Sequence, residues 1–228
     1  DHAGLAANVR WFHDRELGVL LLGSTGEQVH LSEFERALVL EAGRRFLPAE
    51  GALLAGTGMP STRLTIVEGR NAANAGADAA LVVTPSYYQR AMGEAALIDH
   101  YRAVADASPI PVLLYSVPGI TGVTIPAPVV AALASHPNVA GMKNSGTDAA
   151  LAAAYHDAAQ GEAFVILGGS PQAAPAFLHA GWVEGVILAV ANVAPEATRA
   201  LLEAAQRGDV AQVDEQGARL RRLTAAVG

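Results

Sequence analysis

Seven short apolar runs punctuate the chain: Val19–Leu22, Leu53–Gly56, Ala79–Val83, Val112–Tyr115, Val139–Lys143, Phe164–Leu167 and Gly185–Ala189. Each is continuously apolar rather than alternating, the pattern of parallel strands buried on both faces. Between them lie amphipathic stretches with readable ends. Ser32, ahead of Glu33 and Glu35, predicts one helix start; Ser61 predicts another, which closes at Gly76. Pro126 and Pro195 stand where first helical turns begin. Leu5–Leu17 predicts a helix feeding the first visible strand. Strand starts recur about every 28 residues, the length of a βα unit.

Even spacing without a break in composition predicts an α/β chain with the (β/α)8 TIM-barrel fold, one domain over residues 1–228. Helices from about position 195 are expected to form a partial C-terminal extension. Closure of such a barrel takes eight strands, so the first strand is expected ahead of Asp1. The alternative is a doubly wound sheet, which needs a phosphate-binding glycine loop at its switch point. Gly56-Thr57-Gly58-Met59-Pro60 is not GxGxxG, and no GxxxxGK[ST] occurs.

Composition narrows the chemistry. With 51% hydrophobic and 16% charged residues, the chain is not disordered. A net charge of −7 and no run of Lys or Arg argue against nucleic acid or an anionic membrane as partner. No apolar run approaches the roughly 18 residues that cross a bilayer. The chain opens without a charged-then-apolar leader, and with no Cys a reducing cytoplasm is the expected location. The absence of Cys removes disulfides, thiol nucleophiles and Cys-based zinc sites together. The seven His include no HxH or HxxxH pair, so no metal is expected. Gly-x-Ser-x-Gly is absent as well.

The cations carry the sharpest signal. Of 15 Lys plus Arg, Lys143 is the only Lys. In a barrel, function gathers at the carboxyl ends of the strands, and Lys143 ends the fifth visible run. There its amine is expected to point into a half-apolar cavity. A buried ammonium is disfavoured, and the free amine is a nucleophile that condenses with a ketone to a Schiff base. The bland reading of Lys143 is a salt bridge at the barrel mouth. Other strand ends gather Gly23-Ser24-Thr25-Gly26-Glu27, Thr84-Pro85-Ser86-Tyr87-Tyr88, Tyr115-Ser116-Val117-Pro118, Gly168-Gly169-Ser170 and Ala191-Asn192. Tyr115 reads either as packing with a wet hydroxyl or as a proton shuttle for imine chemistry. Ser24 and Thr25, between two glycines, suit a carboxylate, although such a loop also makes ordinary turns. Glu27 reads as a structural partner of backbone N–H groups.

These mouth motifs, in this order, resemble the dihydrodipicolinate synthase / N-acetylneuraminate lyase family of lysine-dependent aldolases, over nearly the whole chain. Within it, Val82–Tyr88, Ser108–Pro118 with Thr121-Gly122, and Gly141–Gly146 look most like 4-hydroxy-2-oxoglutarate aldolase, which yields pyruvate and glyoxylate. The resemblance implies Lys143 as Schiff-base former, Tyr115 as proton relay, and Ser24 and Thr25 as carboxylate holders that extend the relay. It implies that Gly169 and Ile187 line the pocket and that Ser145 meets the variable end of the substrate. It also implies that Tyr87 completes a neighbour's site in a homotetramer built from two dimers, with pyruvate and an aldehyde as substrates and no cofactor. Dihydrodipicolinate synthases carry an Arg in the loop after Tyr-x-Val-Pro, where this chain has Ile120; charge-assisted carboxylate binding is lost there. The aldolases tend to have Asn in place of Thr25 and Asp in place of Asn144. Alternatives are the synthase reaction, a neuraminate or deoxy-sugar-acid lyase, a non-catalytic pyruvate-binding barrel, and a phosphate-handling isomerase using Gly168-Gly169-Ser170.

Overall fold

The computed structural model describes residues 1–227. Its seven strands form one parallel sheet in chain order: β1 (Val19–Leu21), β2 (Leu53–Gly56), β3 (Ala79–Val83), β4 (Val112–Ser116), β5 (Val139–Asn144), β6 (Val165–Gly168) and β7 (Gly185–Val186). The helices are α1 (His2–His13), α2 (Glu33–Phe46), α3 (Thr62–Asn74), α4 (Glu94–Ala107), α5 (Pro118–Thr121), α6 (Ala127–Leu133), α7 (Ala149–Ala159), α8 (Ala174–His179), α9 (Pro195–Gln206) and α10 (Val210–Val227).

The expected helix signals work by the expected physics. Ser32 and Glu35 form a reciprocal capping box at α2. Ser61 accepts the Leu64 N–H at α3, and Gly76 takes the left-handed conformation (φ 87°) that closes it. Pro195 is the first residue of α9, whereas Pro126 precedes α6 as its cap. Several boundaries differ: α1 ends at His13 rather than Leu17, β4 and β5 run on to Ser116 and Asn144, and β6 covers Val165–Gly168. Three further differences have a visible cause. α1 begins before Leu5 because the Asp1 carboxylate accepts the Ala3 and Gly4 N–H groups. β1 stops before Leu22, whose left-handed backbone (φ 59°) turns the chain away. A side chain at Gly56 would lie 1.9 Å from the Leu22 carbonyl oxygen, so a glycine on β2 makes room for that turn. β7 is cut to two residues because the chain coils into a 3-10 turn at Ala189–Asn192.

The sheet is curled. Leu20 of β1, Leu54 of β2, Leu81 and Val83 of β3, Leu113 and Tyr115 of β4 and Leu167 of β6 share one interior cluster. Side chains of β1 and β6 thus pack against one set of interior residues on β3 and β4, the arrangement of a sheet curved toward a barrel. β1 and β7 are the two edges, and the eighth strand that closure needs is not among the described residues. The opposite face of β3–β6 packs Val112, Leu114, Met142 and Ile166 against Leu97 and Tyr101 of α4, Val129 of α6 and Tyr155 of α7. The α8–α10 helices bury a separate apolar cluster around Leu201 and Leu220. There a Cβ at Gly217 would come within 2.6 Å of Pro175, so glycine sets how closely α10 approaches α8. No described helix is long and apolar enough to cross a membrane.

Candidate active site

Strand pairing places Tyr115 directly beside Lys143, and Lys143 beside Leu167, in one layer of the interior. Lys143 is 8% exposed. Its Nζ stands 4.3 Å from the centroid of the Tyr115 ring, within cation–π range. Among the described residues no carboxylate pairs with it.

The Tyr115 hydroxyl is the hub. Ser145, Ser24 and Lys143 gather around it. Burial pushes this phenol up, but the adjacent Lys143 charge and its polar neighbours outweigh burial and hold it below the ordinary tyrosine range. Ser24 sits in the loop after β1, three strands from β4, and reaches Tyr115 only because the sheet curls. Ser145 follows β5, and its N–H donates to the Ser116 carbonyl at 2.9 Å. That bond carries the β4–β5 pairing one residue past the strand end, while the Asn144 side chain accepts the Gly146 N–H at 2.9 Å.

Gly169 closes one wall. Its N–H donates to the Asn144 carbonyl at 2.7 Å, and a Cβ there would lie 2.0 Å from Ser145 Oγ and 2.8 Å from Lys143 Cε. Ile187, half-buried, is tied to the same edge by its N–H to the Gly168 carbonyl at 2.9 Å. Thr25 is exposed on the loop and takes no part in the hydrogen bonding around Tyr115. Tyr87 is 77% exposed, packs edge-on against Tyr88 at 4.9 Å, and is not among the partners of Tyr115 within this chain. Glu27 corrects an expectation: its side chain caps nothing, and the residue serves through its left-handed backbone (φ 53°).

Sequence reasoning missed the supports of the mouth. Thr84 donates its hydroxyl to Thr121 Oγ1 at 3.0 Å, and Thr121 Oγ1 accepts the Val123 N–H at 3.2 Å. Both threonines are buried, and they pin the turn after β4 to the end of β3. Gln28, also buried, donates to the Gly58 carbonyl at 3.2 Å and ties the β1 loop to the β2 loop. Each partner lies 30 or more residues away, beyond the reach of periodicity.

A profile described as the dihydrodipicolinate synthetase family matches residues 3–227. The chain belongs to that family. Among its relatives is a protein named "Probable 4-hydroxy-2-oxoglutarate aldolase, mitochondrial" from Emericella nidulans, 42% identical over 204 residues, covering 87% of this chain and 65% of the relative. A "4-hydroxy-tetrahydrodipicolinate synthase" from Stenotrophomonas maltophilia is 40% identical over 204 residues, covering 90% of this chain and 67% of the relative. The chain thus spans about two thirds of the length of these relatives. A solved dihydrodipicolinate synthase from Acinetobacter baumannii, complexed with pyruvate, superposes at a TM-score of 0.90 with 32% identity, covering 96% of this chain and 74% of that one. The Thermotoga maritima dihydrodipicolinate synthase does so at 0.94 with 27% identity, covering 100% of this chain and 77% of that one. As a member of this family the chain has a TIM-barrel-like α/β fold, and the doubly wound alternative is set aside. Ile120, in α5 just after β4, is 68% exposed.

Proposed function

We propose that the protein of which this chain is part is a Schiff-base aldolase that splits 4-hydroxy-2-oxoglutarate into pyruvate and glyoxylate. The carrying observation is the pairing of the lone Lys143, buried and free of carboxylates, with the Tyr115 hydroxyl in register beside it. The Lys143 amine attacks the C2 carbonyl of the oxo acid, water leaves, and an iminium forms. Loss of the C4 hydroxyl proton breaks the C3–C4 bond. Its electron pair passes into the iminium as an enamine, and glyoxylate departs. Protonation at C3 and hydrolysis return pyruvate and the amine. The iminium is the electron sink, so the chemistry needs neither metal nor cofactor. Tyr115 carries protons to and from the nitrogen and the departing water, in contact with Ser24 and Ser145. Ser24 and Thr25 hold the carboxylate of the pyruvate half, Gly169 and Ile187 line its pocket, and Ser145 faces the aldehyde end.

In this reading the whole chain acts as one catalytic domain with α9 and α10 appended, in the cytoplasm, as a homotetramer of two dimers. Tyr87 reaches the neighbour's site. Its 77% exposure within one chain supports a role outside that chain. The second reading is the dipicolinate-pathway synthase, favoured by relatives such as the Stenotrophomonas protein. Ile120 argues against it, because an apolar side chain offers a second carboxylate no charge-assisted bond.

Intact mass after incubation with pyruvate and borohydride, followed by peptide mapping, tests the imine. A reduced pyruvyl adduct on Lys143 alone is the expected result, and an unmodified folded protein refutes the aldolase reading in favour of a non-catalytic pyruvate-binding barrel. Side-by-side turnover of 4-hydroxy-2-oxoglutarate, aspartate semialdehyde and sialic acid then separates the substrates.

A further inference from the structure

Val139 and Met142 both pack in the layer between sheet and helices. They are three residues apart on β5, and an unbroken strand would send residues so spaced to opposite faces. The pairing with β4 resolves the conflict. Val112 stands opposite Val139, yet the next residue, Leu113, stands opposite Gly141. Ala140 is therefore the extra residue of a β-bulge.

The bulge reverses the alternation for the rest of the strand. Beyond it, Gly141 and Lys143 point inward, level with Leu113 and Tyr115, while Met142 lies outward beside Leu114 and Ile166. Had β5 continued in regular register from Val139, Met142 would occupy the interior. Lys143 would then sit in the helix layer, with its amine among apolar side chains and away from Tyr115.

Gly141 is what admits the bulge. A Cβ there would lie 2.1 Å from the carbonyl oxygen and 2.9 Å from the carbonyl carbon of Val165, its partner on β6. These are backbone atoms of a paired strand, and they cannot swing aside as a side chain would. Any other residue at 141 must push β6 away or abandon the bulge.

We propose that Gly141 is a positioning residue that, by admitting the Ala140 bulge, decides which face of β5 carries Lys143. Its consequence for activity rests on Lys143 being the imine-forming amine; the orientation itself does not.

The test uses the full chain in three forms: wild type, Gly141→Ala, and Gly141→Ala combined with deletion of Ala140. Removing Ala140 deletes the extra residue, so β5 runs in regular register with position 141 and Lys143 still facing inward. Borohydride trapping of pyruvate on Lys143 is timed, thermal melting reports folding, and crystal structures report which side chain faces the barrel. For Gly141→Ala, trapping at least 100-fold slower than wild type is expected, with the Lys143 amine displaced from the Tyr115 ring. The combined variant is expected to recover at least 10-fold of that loss, and to fold even where the single variant does not. Wild-type trapping by Gly141→Ala with Lys143 still beside Tyr115 overturns the proposal, as does a combined variant no better than the single one. If wild type itself traps no pyruvate, the aldolase reading fails, and the crystal structures alone decide the role of Gly141.

Discussion

The substitution Gly169→Ala probes the tightest point of the site. The new methyl carbon would start 2.8 Å from Lys143 Cε and 2.0 Å from Ser145 Oγ. Ser145 can relieve its contact by rotating its hydroxyl, at the cost of its place beside the Tyr115 phenol. Lys143 cannot rotate away so cheaply, because it is enclosed between Tyr115 and Leu167 in the same layer. Carbon atoms pack at about 3.5–4.0 Å, so Cε must retreat by about 1 Å. A misplacement of that size at a reacting group costs about 100-fold in rate, while overpacking costs about 1–3 kcal/mol of stability. Stopped incubations with pyruvate and borohydride at several times measure the trapping rate, and thermal unfolding measures the fold. The expected outcome is a folded protein, modestly destabilised, that forms the Lys143 adduct about 100-fold more slowly. Trapping within a factor of three of wild type would refute the reasoning. It would mean that the amine reaches the ketone by a route Gly169 does not border.

Tyr115→Phe removes the hub hydroxyl and should slow imine formation by about 10²–10⁴-fold. Wild-type trapping should also rise with pH through a group ionising below the ordinary tyrosine range, and that limb should vanish from the variant's pH profile. His100, 5% exposed on α4, donates to or accepts from Thr62 Oγ1 at 2.9 Å and leaves Nε2 without a partner. Burial drives its pKa down to about 4 from 6.5. Since the folded value is the depressed one, its neutral form favours folding fully above about pH 6.5, and that advantage drains away as pH falls toward 4 and below. The loss amounts to about 3 kcal/mol, and urea melts of His100→Leu across pH 7 to 4 should show a flatter decline than wild type. Glu68→Gln leaves Arg36 of α2, bound through Nε at 3.1 Å and Nη2 at 2.9 Å, without its buried partner. The side chains are only 12% and 8% exposed, so a loss of about 3–5 kcal/mol is expected by urea unfolding. A change under 1 kcal/mol would show the pair to be replaceable.

Much of this molecule is local and therefore readable in one dimension. Continuous apolar runs marked all seven strands because parallel strands are covered on both faces. Ser32, Ser61 and Gly76 marked helix ends because capping joins groups three or four residues apart. Lys143 stood out because it is alone in composition and sits at a strand end, and Tyr115 because it ends the preceding strand. What the local reading missed had causes elsewhere in the chain, such as the left-handed turn at Leu22, for which Gly56 in the next strand makes room.

The site itself belongs to the tertiary structure. Ser24 and Tyr115 lie 91 residues apart, and no periodicity joins them; the curl of the sheet does. The resemblance put Gly169 at the pocket, but only the structure shows that the space its missing side chain leaves is filled by Ser145 and Lys143. Above all, alternation along β5 read from Val139 points Lys143 at the helices, and only the pairing with β4 reveals the bulge that turns it inward. Residue type and spacing determined which side chains could do chemistry, because those depend on covalent identity and near neighbours. Which of them meet was decided by strand register and sheet curvature, because these depend on contacts between segments that the chain order keeps apart.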